Sequence, residues 1–406
     1  MRCNRLLWIA GFLVAAVTTS VGDASDQMVV TFNSRRSSTS VPFKLVDGRI
    51  FVSVRVNGEG PFAFIFDTGG NGVISASVAE RLHLPTGKTE TGTGAGEKLV
   101  TAVDTTVREL QIGDLRLSNV AFRVISLDDA PAVYGKQPLD GIIGFPILEQ
   151  LIVEVDYETN RLKLTSPAAY EPRNSGSTLH FQRPRWVPLV EATLDGIRGE
   201  FGVDTGARLS LLLYGPFVEQ HDLRTKYHPE VSGVTGWGLG GPVRTQLARG
   251  KLFLLGDLPV RDPLVRLPLQ ASGTLKSSDD AAGLIGSDIL RQFKITLDYG
   301  RKSITFQKNH HYGKRSNFDR VGIWLGQNTA DVGFSIIDVV PGSPADNAGI
   351  KPGDKILAID RKPSESLDLA EVRERFRNDP VGRKLRLRVQ SGSAVREIVL
   401  RLRELV

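Results

Sequence analysis

The sequence predicts a mainly β protein: two lobes related by an internal repeat, then a small C-terminal domain of strands with two helices. Three observations predict it. Short stretches of alternating apolar and polar residues dominate the chain, as over 52–56, 115–124 and 295–306. A segment around Asp67 recurs around Asp204 with its motifs in the same order. The stretch from Val321 onward carries helix caps and turn signals of its own.

At 406 residues the chain can bury more than one core, and 41% hydrophobic with 24% charged residues is ordinary for a globular protein. Its first residues read as an address. Arg2 and Arg5 precede an apolar run over 6–17, and small residues follow through Gly22 and Ala24. That is the pattern of a signal peptide over 1–24, so the protein is expected to be exported, to a periplasmic or extracellular place. The run is short for a membrane span; retention as an N-terminal anchor is the alternative. The single cysteine, Cys3, falls inside this segment. Disulfides, thiolate-zinc sites and cysteine catalysis are therefore excluded from the mature chain.

Each lobe follows one scheme. An apolar strand ends at Asp67-Thr68-Gly69 in the first copy and at Asp204-Thr205-Gly206 in the second. Small residues and a short helical pattern come next. Further on, Ile142-Ile143-Gly144 answers to Leu284-Ile285-Gly286, each followed by a strand pair. The two aspartates stand 137 residues apart and the two later glycines 142 apart, so the offset is nearly constant. Lobe 1 is read as 25–170 and lobe 2 as 171–308, with a Pro-, Ser- and Gly-rich connection over 166–177. The segment 309–320 is polar and aperiodic, and is read as a linker to the domain 321–406.

One Asp-Thr-Gly is weak evidence, because Asp and Gly are common at strand ends. Two copies, each after an apolar strand and each followed by an apolar-apolar-Gly element, are strong evidence. On these residues the stretch from about 45 to 308 resembles single-chain aspartic peptidases of the retropepsin–pepsin type. The resemblance implies a bilobal β fold with a pseudo-twofold axis and one aspartate from each lobe meeting in a cleft. It makes Asp67 and Asp204 the catalytic pair, with Thr68 and Thr205 bracing it across the lobes and Gly69 and Gly206 permitting the tight turns. Two carboxylates held together share a proton, and the pair can activate a water against a peptide carbonyl. No cofactor or metal is needed.

Two features depart from the family. Gly70 follows the first Asp-Thr-Gly and Ala207 the second, so neither neighbour offers a hydroxyl to its carboxylate. The carboxyl pKa values should then rise, and the pH optimum should be less acidic than that of pepsins. The Gly-rich stretch 91–100, with Gly92, Gly94 and Gly96, is placed as a flap over the cleft, and 235–243 with Trp237 is its counterpart. The flap tyrosine of pepsins is missing from both. The glycines from Gly236 to Gly241 also fit a dinucleotide fingerprint, but Pro242 and the absence of a helical pattern exclude that reading. Neither a serine-nucleophile elbow nor a zinc-binding His-Glu-x-x-His occurs, and the adjacent His310 and His311 fall in the linker.

In the last domain, Ser343, Pro344 and Gly349 cap a short helix, 352–354 makes a turn, and Leu369, Val372 and Phe376 share one face of a second helix. This segment resembles the PDZ domains of bacterial envelope proteases, most plainly over 332–362. The resemblance implies that Val321-Gly322-Ile323-Trp324 forms a loop binding peptide C-termini, ahead of a strand that pairs with the peptide. Arginines here alternate with apolar residues, as in Leu385-Arg386-Leu387-Arg388-Val389, the pattern of a solvated strand face and not of a nucleic-acid surface. Polypeptide substrates, peptide C-termini, no nucleic acid, no metal and a monomeric state are the expectations. A non-catalytic peptide-binding protein with a degenerate peptidase body is the rival reading, kept alive by Gly70.

Overall fold

The computed structural model describes residues 27–33, 36–172, 175–181, 187–269, 281–327 and 332–406. The signal-peptide reading of 1–24 lies outside them. Strands dominate, as the alternation predicts, and they form four sheets. Among the described residues no helix is long and apolar enough to cross a membrane.

Each lobe is a nine-stranded sheet with the same central arrangement. In lobe 1, strand Gly141–Ile143 runs parallel to Glu59–Phe66 and antiparallel to Val73–Ser75. In lobe 2, Gly283–Ile285 runs parallel to Ile197–Val203 and antiparallel to Leu211–Leu213. Where the three strands of each set pair they are apolar, because both faces are covered there; Phe64, Phe66, Ile74, Ile143, Phe201, Val203, Leu211 and Ile285 are fully buried. Parallel pairing inside a tight loop leaves the residues between the strands, 67–72 and 204–210, facing the other lobe.

A six-stranded sheet joins the lobes, ordered Ser177–His180, Ser303–Lys308, Phe293–Asp298, Ile152–Asp156, Arg161–Thr165, Ser38–Pro42. Its central pair takes one strand from each half, with Val155 opposite Ile295. One apolar core therefore runs through both lobes. The C-terminal domain has its own sheet and core, with Val321, Phe334, Ile356, Val372, Phe376 and Leu387 among the buried side chains. Its helix Pro344–Asn347 begins at Ser343, whose hydroxyl accepts the Asp346 amide, and Gly349 follows at φ +71°. Helix Leu369–Asn378 begins at Asp368, whose carboxylate accepts the Ala370 and Glu371 amides.

The 309–320 segment differs from the free linker its composition predicts. Tyr312 packs on the main core and its hydroxyl donates to Pro259 O at 2.9 Å. Phe318 packs against Val231, Leu247 and Val340. Arg249 Nη1 donates to Ser316 O at 2.8 Å, and Arg377 Nε to Asn317 O at 3.1 Å. Polar composition hid this because backbone carbonyls and two aromatics make the contacts.

Candidate active site

Asp67 and Asp204 stand at the ends of Glu59–Phe66 and Ile197–Val203, on loops that face each other. Each strand's parallel neighbour sets its loop: Asp67 N donates to Ile143 O, and Asp204 N to Ile285 O, both at 3.0 Å. The two carboxyl side chains share a hydrogen bond. Asp67 Oδ1 also accepts the Gly69 amide at 2.8 Å; Asp204 Oδ1 accepts those of Gly206 at 2.8 Å and Ala207 at 3.1 Å.

The threonines cross the lobe boundary. Thr68 Oγ1 donates to Val203 O at 2.6 Å and accepts the Thr205 amide at 3.0 Å. Thr205 Oγ1 donates to Phe66 O at 2.9 Å and accepts the Thr68 amide at 3.1 Å. Both side chains are fully buried, so four bonds tie the loops in an apolar setting. Gly69 and Gly206 are required by close approach. A Cβ on Gly69 would come within 2.6 Å of Asp204 Cγ, and one on Gly206 within 2.4 Å of Asp67 Cγ.

Burial raises the pKa of Asp67, against lowering by the Gly69 amide, the Asp204 hydrogen bond and the Arg49 charge. Burial also lifts Asp204, and the neighbouring Asp67 charge pushes it well above the usual carboxylate range. Asp204 is thus the member that keeps its proton to higher pH.

The pair opens into a cavity of about 290 Å³. Ile65, Val73, Tyr134 and Ile142 give it an apolar wall in lobe 1, and Leu209, Leu212, Tyr214 and Leu284 one in lobe 2. Two hairpins roof it, Thr89–Thr93 with Leu99–Ile112 and Val231–Gly238 with Gly241–Arg249. Their tips meet: Gly96 N donates to Leu239 O and Lys98 N to Gly240 O, each at 2.9 Å. Gly94 and Trp237 line the cavity, Gly96 makes the tip contact, and Gly92 sits back in its strand opposite Val100.

Sequence patterns missed Arg49. Its Nε donates to Gly206 O at 3.0 Å, its Nη2 to Trp237 O at 3.2 Å, and its Nη1 to Asp47 Oδ2 at 3.1 Å. It links the second Asp loop to the second flap. Asp47, fully buried, also meets Arg208 at 2.9 Å and Arg373 at 3.1 Å. Burial alone would raise the Asp47 pKa, but these guanidiniums outweigh it and hold the carboxyl below its ordinary value. An Asp-Gly turn before a strand gives no hint of such a role. Arg208, directly after the second Asp-Thr-Gly-Ala, offered the better clue.

Residues 52–147 match the family described as aspartyl protease, and residues 335–391 match that described as PDZ domain. The chain joins an aspartyl protease domain to a PDZ domain. It is similar, at 32% identity over 97 residues, to a chloroplastic carboxyl-terminal-processing peptidase 2 of Arabidopsis thaliana, covering 23% of this chain and 19% of that protein. It is also 32% identical over 126 residues to a probable periplasmic serine endoprotease DegP-like of Buchnera aphidicola, covering 29% of this chain and 27% of that one. The chain thus matches less than a third of either curated relative.

The PDZ loop is not open in this structure. Val321, Gly322, Ile323 and Trp324 are all buried, and the last two are not loop residues as the motif implied but the start of the paired strand Ile323–Gly326. The amides of Val321, Gly322 and Ile323 point at the chain's own Asp319 Oδ1, at 2.9, 2.5 and 3.3 Å. Burial pushes the Asp319 carboxyl up to about 6, in spite of these three donors. Arg373, on helix Leu369–Asn378, donates to Leu325 O in the strand after the loop and to Val133 O of the protease domain at 2.7 Å. Trp324 lies between the guanidiniums of Arg208 and Arg373, at 5.2 and 4.9 Å. One turn on, Arg377 pairs with the buried Asp288 of lobe 2 at 2.7 Å. The PDZ helix so contacts both lobes.

Proposed function

We propose that this protein is an exported aspartic endopeptidase whose PDZ domain takes the C-termini of substrates or partners. The observation that carries the first part is the hydrogen-bonded contact of Asp67 and Asp204 at the floor of an apolar, roofed cavity. Asp67, helped by the Gly69 amide and Arg49, is the ionised member, and Asp204 the protonated one. Asp67 takes a proton from a water as its oxygen attacks the scissile carbonyl carbon, while Asp204 gives its proton to the carbonyl oxygen. On collapse of the tetrahedral intermediate, Asp67 passes its proton to the departing nitrogen and Asp204 recovers the other as the C–N bond breaks. The roof excludes bulk water, which strengthens each of these hydrogen bonds. The signal-like start and the named compartments of both relatives support export.

For the PDZ domain, the reading is a loop that is closed at rest. Asp319 occupies the amides that a peptide carboxylate would need, and the Arg373 bond to Leu325 O closes the strand beside it. A peptide C-terminus gains access by displacing both groups.

The test uses the chain from Ser25, beside Asp67→Asn and Asp204→Asn, on an unfolded casein-like substrate between pH 3 and 8. Cleavage should fall by on the order of 10²–10⁴-fold in each variant. Cleavage that survives in both variants, or none by the parent at any pH, overturns the aspartic reading. The second outcome favours the non-catalytic peptide binder.

A further inference from the structure

Arg266, in strand Leu264–Pro268, is only 5% exposed, and its Nε and Nη1 have no hydrogen-bond partner among the described residues. A buried guanidinium without a partner is strongly unfavourable. The pseudo-twofold repeat supplies the comparison. Val73 lies opposite Ile142 and beside Arg123; Leu212 lies opposite Leu284 and beside Arg266. Ile142 and Leu284 are equivalent members of the apolar-apolar-Gly elements, so Arg123 and Arg266 occupy equivalent places.

Arg123 is fully served: Asp104 meets its Nε at 2.8 Å and Glu90 its Nη1 at 3.0 Å. The neighbouring strand puts Asp104 opposite Arg123 in lobe 1 and Leu247 opposite Arg266 in lobe 2. One strand further out, Glu90 faces Ala102, two residues before Asp104, and Gly233 faces Thr245, two residues before Leu247. Lobe 2 has therefore kept the arginine and lost both carboxylates.

Among the described residues near Arg266, each carboxylate is already held elsewhere. Asp288 is taken by Arg377 at 2.7 Å and Arg291 at 3.5 Å. Asp338, which reaches toward Gly233 from the PDZ domain, accepts the Val234 amide at 2.6 Å and meets Arg244 at 3.4 Å. Asp319 is held by its loop amides. Burial pushes the Arg266 guanidinium down to about 9; Asp288 opposes this, and the charges of Arg377 and Arg208 add to it. Around it, Arg49, Arg208 and Arg373 each pair with Asp47, and Arg377 with Asp288 and Glu374; of these five arginines only Arg266 has no ion pair among the described residues.

Between lobe 2 and the PDZ domain this leaves a pocket of about 30 Å³, walled by Arg208, Arg266, Arg373 and Arg377 beside Asp319 and Trp324. Since about 10–15 Å³ of such volume seats one water, it has room for the two oxygens of a carboxylate. Arg208, Thr235 and Arg266 also line the catalytic cavity, so the two spaces share a wall. We propose that this pocket is a carboxylate-binding site in which Arg266 is the donor, and that its guest is a peptide carboxylate. A planar guanidinium suits a carboxylate through paired, charge-assisted hydrogen bonds. The C-terminus of a peptide and an acidic side chain offer the same group.

The proposal does not depend on catalysis, because its test reads binding. Full-length mature chain carrying Asp204→Asn, which prevents cleavage, is titrated against three fluorescein-labelled apolar heptapeptides by fluorescence polarisation. One has a free C-terminal carboxylate, one a C-terminal amide, and one an amide with a penultimate glutamate. Either carboxylate-bearing peptide should bind roughly tenfold or more tightly than the neutral one, and which of the two does so identifies the source. The preference should fall in Arg266→Gln, any remainder for the free C-terminus alone belonging to the PDZ loop. It should fall likewise in Leu247→Asp, which gives Arg266 the intramolecular partner that Arg123 already has; a cooperative melt checks that this variant is folded. If Arg266→Gln does not fold, Leu247→Asp decides alone. Equal binding of all three peptides, or a preference undiminished in a folded Leu247→Asp, overturns the proposal.

Discussion

At the scale of single residues, the dyad's behaviour rests on what surrounds each carboxyl. Asp67 and Asp204 are half-buried at the cavity floor, and Gly70 and Ala207 bring no hydroxyl to stabilise the ionised forms. Catalysis of the proposed kind requires one proton on the pair. Activity should fall on the acid side as Asp67 takes up the second proton, above the ordinary aspartate value of 3.8, and on the alkaline side as Asp204 releases its own. A bell-shaped kcat/KM profile is expected, with both limbs displaced upward; a maximum near pH 2 would contradict it. The threonines act on stability. Thr205→Val keeps the volume but strands Phe66 O and the Thr68 amide in a dry setting, which should cost about 2–4 kcal/mol. Denaturant titration would measure this, and a loss under about 0.5 kcal/mol would show the cross-lobe bonds to be weak.

At the scale of elements, the helix Leu369–Asn378 has two working faces. Leu369, Val372 and Phe376 fill the PDZ core, which their spacing predicts. Arg373 and Arg377, one turn apart, are 4% and 5% exposed because the protease domain covers them. Removing one member of a buried pair leaves a bare charge. Arg377→Met should therefore cost about 3–5 kcal/mol through Asp288, while Arg377→Met combined with Asp288→Asn should cost less than the sum of the two. Additive losses in that double-mutant cycle would mean that the pair is not coupled. Strand faces were easier to read: in Lys384–Ser391 the leucines and Val389 point inward while Lys384, Arg386 and Arg388 face solvent.

At the scale of the whole molecule, the contacts made by Asp47, Arg373, Asp288 and Arg377, and by Phe318 with Leu247 and Val340, bind the PDZ domain to both lobes. The two domains should unfold together. Calorimetry of the mature chain should give one transition with calorimetric and van't Hoff enthalpies in agreement, whereas two resolved transitions would show an independent PDZ domain. Truncation at 320 is expected to lower the melting temperature of the remaining protease domain, because it removes Arg373 from Asp47 and Arg377 from Asp288; an unchanged value would contradict this.

The sequence by itself determined the mainly β character, the repeat, the pair of Asp-Thr-Gly loops and the caps of the C-terminal helices. These follow from periodicity and short-range spacing, which a single chain records directly. Only the tertiary structure decided what lies against what. The turn at Val321-Gly322 was not separated from the strand that begins at Ile323, and Asp319 filling the amides was not legible. Asp47 and Arg49 lie in a turn and the strand after it, and Arg266 in the interior strand Leu264–Pro268, where no motif marks them. For Asp47, Arg49 and Arg266 the physical reason is that alternation reports which side of an element faces its own sheet, and says nothing of a second domain pressed on the outer side; for Asp319 it is that a turn's backbone geometry leaves no residue pattern. Long polar side chains gain their meaning from partners hundreds of residues away, and charge pairing leaves no periodic trace.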